Sequence, residues 1–183
     1  MNTIEAIKNR RSVRRFKDEA PDRKVMEKII DATRFAPSWS NFQVARWTLI
    51  DDKEVVQKLK DLVKGFTYNI KTLEKAPAVA IVSYVQGKSG KLDQYGIAPD
   101  AEDGNVSKWE IFDAGIATQT FCLAAYEKGV STCIFGVLEE EAVGKLINIP
   151  EGEKVASIIV YGYAEKYPDA PPRKEVSEIM RWI

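Results

Sequence analysis

Three near-continuous apolar, β-branched runs decide what this chain can fold into: AVAIVSYV at 78–85, VSTCIFGV at 130–137 and VASIIVYGY at 155–163. A strand with one face in water alternates polar and apolar residues, and these do not. The first two are therefore expected as inner strands covered on both faces, and the third as another strong strand. A shorter fourth strand is expected at 46–51, with Trp47 and Leu49 on one face.

The cover must come from helices, and the periodicity supplies them. A short helix is expected at 3–9. A second runs from 22 to about 35, with Asp22 as its cap and Val25, Met26, Ile29, Ile30 and Thr33 at spacings of three and four. Residues 54–64 repeat the pattern up to Gly65, and 66–75 has roughly helical spacing without a clear assignment. The longest pattern, 109–128, places Trp109, Phe112, Ile116, Ala117, Phe121, Leu123, Ala124 and Ala125 around most of its circumference, so it belongs mid-fold or in a subunit interface. Gly129 suits the residue just past its end. Asp113 and Gln119 within it read most simply as surface groups or hydrogen-bonded groups at the edge of an interface. A short helix follows at 139–147. Residues 86–107, rich in Gly, Asp, Lys and Asn, read as a lid or binding loop. The single domain, 1–183, is expected to end in an arm over about 168–183. Pro168, Pro171 and Pro172 bar that arm from a central strand, and its apolar end must dock on something.

Composition removes whole classes of chemistry. The chain has no histidine, which excludes Ser-His-Asp and Cys-His nucleophilic systems, HExxH zinc sites and histidine bases. Cys122 and Cys133 lie inside apolar runs and are expected to be buried thiols, so no metal site is expected. Lys plus Arg and Asp plus Glu are both 27, leaving no global field to recruit nucleic acid or an anionic membrane. No apolar run reaches the roughly 18 residues of a spanning helix, and the charged start is unlike a signal peptide, so a cytoplasmic protein is expected.

Two stretches remain as candidates for chemistry. Arg10-Arg11-Ser12-Val13-Arg14-Arg15-Phe16 sets four arginines around one serine. That suits an anion cradle, and equally a charged run complementing the negative end of the first helix. Pro37-Ser38-Trp39-Ser40-Asn41-Phe42-Gln43 interleaves rings with small polar groups, as a flat heteroaromatic ligand requires. Taken alone, it is more simply a helix-to-strand turn with Trp39 and Phe42 in the core. Gly136 marks a place where a backbone can approach a ligand.

Taken in order, these segments resemble the nitroreductase family. The arginine run resembles its RRSxRxF opening, and Ala36 to Gln43 its APS-x-x-N-x-Q segment. Asn69 before Glu-Lys-Ala-Pro, Asp113 with Gly115 and Ala117, Gly129, Ile149-Pro150, Tyr161-Gly162-Tyr163 and Arg173 follow in family order. The resemblance implies an α+β fold with a mixed, mainly antiparallel sheet flanked by helices, in an intertwined homodimer with two FMN molecules at its interface. It implies that Arg10, Arg11, Ser12 and Arg14, with Arg173 and Lys174, bind the FMN phosphate and ribityl chain. Pro37, Ser38, Trp39 and Asn41 would reach the ring from the other subunit. Asn69, with Lys71 near a basic position some members use, would meet the ring edge, and the backbone of Phe135 and Gly136 the hydride-accepting side. The implied activity is ping-pong transfer from NAD(P)H to a small acceptor such as a nitroaromatic or quinone, with the flavin carrying the chemistry. The alternatives are another FMN reaction on this fold or a non-catalytic flavin-binding, redox-sensing protein. Trp39 stands where the family often has a second small residue, and is expected to reshape the ring pocket.

Overall fold

The computed structural model describes residues 2–90 and 108–183, so the expected lid lies, from 91 onward, outside the described residues. Helices α1 (Thr3–Asn9) and α2 (Arg23–Thr33) precede strand β1 (Ala45–Ile50). Helices α3 (Lys53–Lys60) and α4 (Thr67–Glu74) lead to β2 (Ala78–Val85). After α5 (Lys108–Glu127) come β3 (Ser131–Phe135), α6 (Glu140–Leu146), β4 (Glu153–Gly162) and the short α7 (Val176–Ile179).

The sheet runs β1-β2-β4-β3 with every pair antiparallel. Its two inner strands show why their sequences do not alternate. Val79 and Ile81 of β2, with Ile158 and Val160 of β4, enter a core layer shared with Val56, Leu59, Leu73 and Val143 from α3, α4 and α6. Ala78, Ala80 and Val82, with Ile159 and Tyr161, point the other way onto Met26, Ile29, Phe121, Cys122 and Ala125 of α2 and α5. Both faces are dry, so both must be apolar.

Two expectations about the sheet are corrected. The run at 130–137 forms an edge strand, since among the described residues β3 pairs only with β4 and its far side carries one isolated parallel bridge, Ser12 to Thr132. That bridge is the sheet's parallel component; the four strands are purely antiparallel. Composition reports how far a strand's faces are covered, not how many neighbours it bonds, and β3 buries all its residues but Ile134 although it lies at an edge.

The helices follow the periodicity closely. Asp22 caps α2 through Lys24 N–H, and the segment 66–75 resolves as α4. The third helix ends earlier than expected, at Lys60, because Val63 bridges to Leu138 and Lys64 N–H donates to the Val137 carbonyl. Gly129 takes φ +75 and closes α5, while Val130 N–H reaches back to the Ala125 carbonyl at 2.8 Å. Residues 165–183 are exposed throughout. Among the described residues, no helix is long and apolar enough to cross a membrane.

Candidate functional site

The arginine run leaves α1 in an extended conformation at Arg10 (φ −58, ψ 136) and lies against β3, where Val13 N–H donates to the Thr132 carbonyl at 3.0 Å. Alternation then fixes the side chains: Val13 is fully buried, and its neighbours Ser12 and Arg14 face the other way. The adjacent arginines divide the two roles open from sequence. Arg11 turns back onto the carbonyls of Lys8 and Arg10 at 2.6 and 2.9 Å, completing the C-terminal end of α1. Arg10 keeps a buried Nε with no hydrogen-bond partner among the described residues. Arg14 lies over the Tyr68 ring, 5.1 Å from its centroid. Ser12, Arg14 and Arg15 line a cavity of about 310 Å³ together with Lys166, Tyr167 and Pro168. Tyr167 is fixed there by a 3.1 Å bond between its hydroxyl and that of Ser131.

Helix α4 borders the same region. Asn69 is buried, and its Oδ1 also lacks a partner among the described residues, whereas Lys71 is exposed. The Val63 and Lys64 contacts tie the start of this helix to the chain just past β3. There the Phe135 ring is buried in the core, so only its backbone can face a ligand. A Cβ built on Gly136 meets nothing within 4 Å.

The 37–43 loop lies elsewhere. It makes one 3-10 turn, Trp39–Asn41, with Ser40, Asn41 and Gln43 all at positive φ (45, 58 and 51). Such left-handed non-glycine residues persist where the surroundings hold them. Ser38 Oγ accepts from Gln43 N–H at 2.8 Å, and the Trp39 ring stacks on Phe42 with centroids 5.5 Å apart. Trp39 N–H donates to both carboxylate oxygens of Asp113, at 3.0 and 3.1 Å. Asp113 is therefore no surface group: it is 2% exposed and also accepts from Ser89 Oγ. The sequence left Asp113 as either a surface group or a hydrogen-bonded one, and the second holds, on the stripe that continues through Ala117 and Phe121, all buried; it did not single out Ser89.

These candidate residues form two groups within one chain. The loop lines one cavity with Asp113 and Ala117, whereas Ser12, Arg14 and Arg15 line another with Lys166, Tyr167 and Pro168. The start of the arm, Pro168, reaches the first group, whereas Arg173 donates to the carbonyls of Pro171 and Pro172 and Lys174 is exposed.

The first group fits a phosphorylated flavin. It offers fixed cationic forks for a dianion, an amide oxygen for a ring N–H, and an open glycine backbone for a ring face.

The chain matches the model of the nitroreductase family over residues 7–163. It is 27% identical to a protein of Methanothermobacter thermautotrophicus provisionally named NADH dehydrogenase/NAD(P)H nitroreductase, covering 92% of this chain and 80% of that one. It is 25% identical to the FMN reductase [NAD(P)H] of Bacillus subtilis strain 168, covering 93% and 69%. In fold it is similar to the nitroreductase family protein of Streptococcus pneumoniae TIGR4, with TM-score 0.84, 19% identity and both chains covered completely.

Proposed function

The chain belongs to the nitroreductase family and is accordingly an oxidoreductase, and from that premise we propose that it binds FMN and passes electrons by a ping-pong mechanism from NAD(P)H to a small acceptor such as a nitroaromatic or quinone. The observation that carries the reading is that two of the three buried polar atoms without a hydrogen-bond partner among the described residues, Arg10 Nε and Asn69 Oδ1, belong to the expected set, the third being Thr132 Oγ1. A buried polar group left unpaired costs about 1–3 kcal/mol, so two within the expected set indicate that a ligand supplies what the protein does not.

Bound FMN supplies the hydride-accepting and electron-passing chemistry, which suits a chain without histidine. The protein's residues bind and orient. Arg10, Ser12 and Arg14 take the phosphate, with Arg11 closing the helix behind them. Arg173 and Lys174 join from the arm once it docks. Asn69 accepts from the ring edge, and Lys71 lies beside it on α4. The Phe135 and Gly136 backbone lines the reactive side of the ring. Pro37, Ser38, Trp39 and Asn41 of a second copy cover the remaining face, which resolves the separation of the two groups within one chain. The stacked Trp39 and Phe42 narrow that face and favour flat acceptors.

The test is spectroscopic. Purified protein should be yellow and carry about one FMN per chain. NADH or NADPH should bleach the flavin in a stopped-flow trace, and menadione or a nitrofuran should restore it over many turnovers. A colourless protein indifferent to added FMN sinks the reading. Flavin that neither nicotinamide reduces sinks the electron-transfer part alone.

A further inference from the structure

We propose that Asp113 is a positioning residue, whose carboxylate holds the 38–43 loop in its left-handed conformation and ties that loop to the segment leaving β2. The proposal rests on reading the loop as the part that meets the flavin ring, and goes beyond it by naming what sets the loop's shape.

Three observations converge on this one side chain. The loop bends through three non-glycine residues at positive φ, Ser40, Asn41 and Gln43, a conformation their own sterics oppose. Within the loop lie the Ser38 Oγ contact to Gln43 N–H, the turn's own backbone bonds, a 3.5 Å bond from Gln43 Nε2 to the Asn41 carbonyl and the Trp39–Phe42 stack, while Arg46 holds the far end at the Gln43 carbonyl. Asp113 supplies an outside anchor at the point where the bend begins, with both oxygens accepting from Trp39 N–H. A carboxylate can take that donor in a forked bond and still accept from the Ser89 hydroxyl, 2.7 Å from Oδ2. Ser89 is fully buried, so its bond is shielded from competing water.

One turn earlier on the same helix, Glu110 repeats the device. It is 2% exposed and accepts from Lys88 N–H at 2.7 Å. Two buried acids thus grip residues 88 and 89, and the second also grips the loop. α5 is a rigid twenty-residue helix, so the loop and the exit from β2 are placed relative to one another through it. Loss of the Asp113 acceptor should free the loop without unfolding the sheet, because the apolar side chains that pack α5 onto β2 and β4 are left unchanged.

The experiment compares wild type, D113A, D113N and S89A by amide hydrogen exchange at Trp39, with β2 amides as the internal reference for global stability. FMN affinity is titrated on the same samples. D113A should speed Trp39 exchange and raise the FMN Kd, each by about tenfold or more, while β2 amides stay protected. D113N keeps one carbonyl acceptor and should bring both back to within about threefold of wild type. S89A should fall between. Unchanged Trp39 exchange in a folded D113A overturns the proposal. Equal losses in D113A and D113N also overturn it, because they would assign the effect to charge rather than acceptor geometry. Should D113A fail to fold, S89A decides: faster Trp39 exchange supports the proposal, and wild-type exchange overturns it. A wild type that takes up no FMN defeats the flavin reading, while the exchange comparison still judges Asp113 by itself.

Discussion

Arg10 and Arg11 are chemically identical neighbours with different work. Arg11 is engaged with two carbonyls at the end of α1, and Arg10 holds a buried, unpartnered nitrogen. Replacing each with alanine should separate them. R10A should weaken FMN binding by about tenfold to a hundredfold, as expected for one charge-assisted bond to a phosphate, and R11A by clearly less. Fluorescence titration of FMN against both variants checks the ranking, and a larger loss in R11A would reverse the assignment. Tyr161 gives a second test at this scale. Burial pushes its hydroxyl from the ordinary 10.0 up to about 12, with Asp51 adding to the rise and Arg23 opposing it. The folded state therefore holds the phenolic proton more tightly than the unfolded state does. The corresponding stability is fully present below pH 10 and is lost as pH rises toward 12. The shift corresponds to roughly 3 kcal/mol. Between those pH values, urea midpoints of wild type should fall more steeply than those of Y161F. Parallel curves would show that the hydroxyl titrates alike in the folded and unfolded states.

At the scale of elements, what could be read from the chain followed from periodicity, and what could not lacked it. Helix α2 with its Asp22 cap, α5 with its closing glycine and strand β2 were legible to within a residue or two, because burial imposes a repeat. The edge position of β3 was illegible because four of its five residues are buried although Ile134 is exposed, so its composition resembles that of an inner strand. The end of α3 was illegible because Val63 keeps the apolar spacing while leaving the helix to bridge Leu138. The partner of Asp113 was illegible because a single carboxylate on an apolar stripe has no period, and the contact that explains it joins residues 74 positions apart. Two glycines convert this contrast into a prediction. Gly129 sits at φ +75, so G129A should cost about 1 kcal/mol in urea denaturation. Gly136 has open space where a Cβ would go. G136A should leave FMN-free stability within about 0.5 kcal/mol, yet weaken FMN binding, if the flavin occupies that space. An unaltered FMN Kd in G136A would move the ring away from the end of β3.

At the scale of the whole molecule, one chain leaves too much apolar surface exposed. Ile4 and Ile7 of α1, Trp109, Ile111 and Phe112 of α5, and Ile179, Trp182 and Ile183 of the arm all stand exposed. Exposed apolar side chains on helix faces and a terminal arm are what a partner surface would cover, and the proposed function takes that partner to be a second copy. If each flavin is held by the arginines of one subunit and the 37–43 loop of the other, damage to the two groups should complement. An R10A/R14A chain and a W39A/N41A chain should each form dimers with little FMN. Mixed dimers of the two would contain one site with both defects and one with neither, and should recover about one FMN per dimer. If both groups served a site within the same chain, every site in a mixed dimer would carry a defect and no FMN would return. Coexpression with two affinity tags, followed by flavin absorbance of the doubly purified species, distinguishes these outcomes without reference to any acceptor.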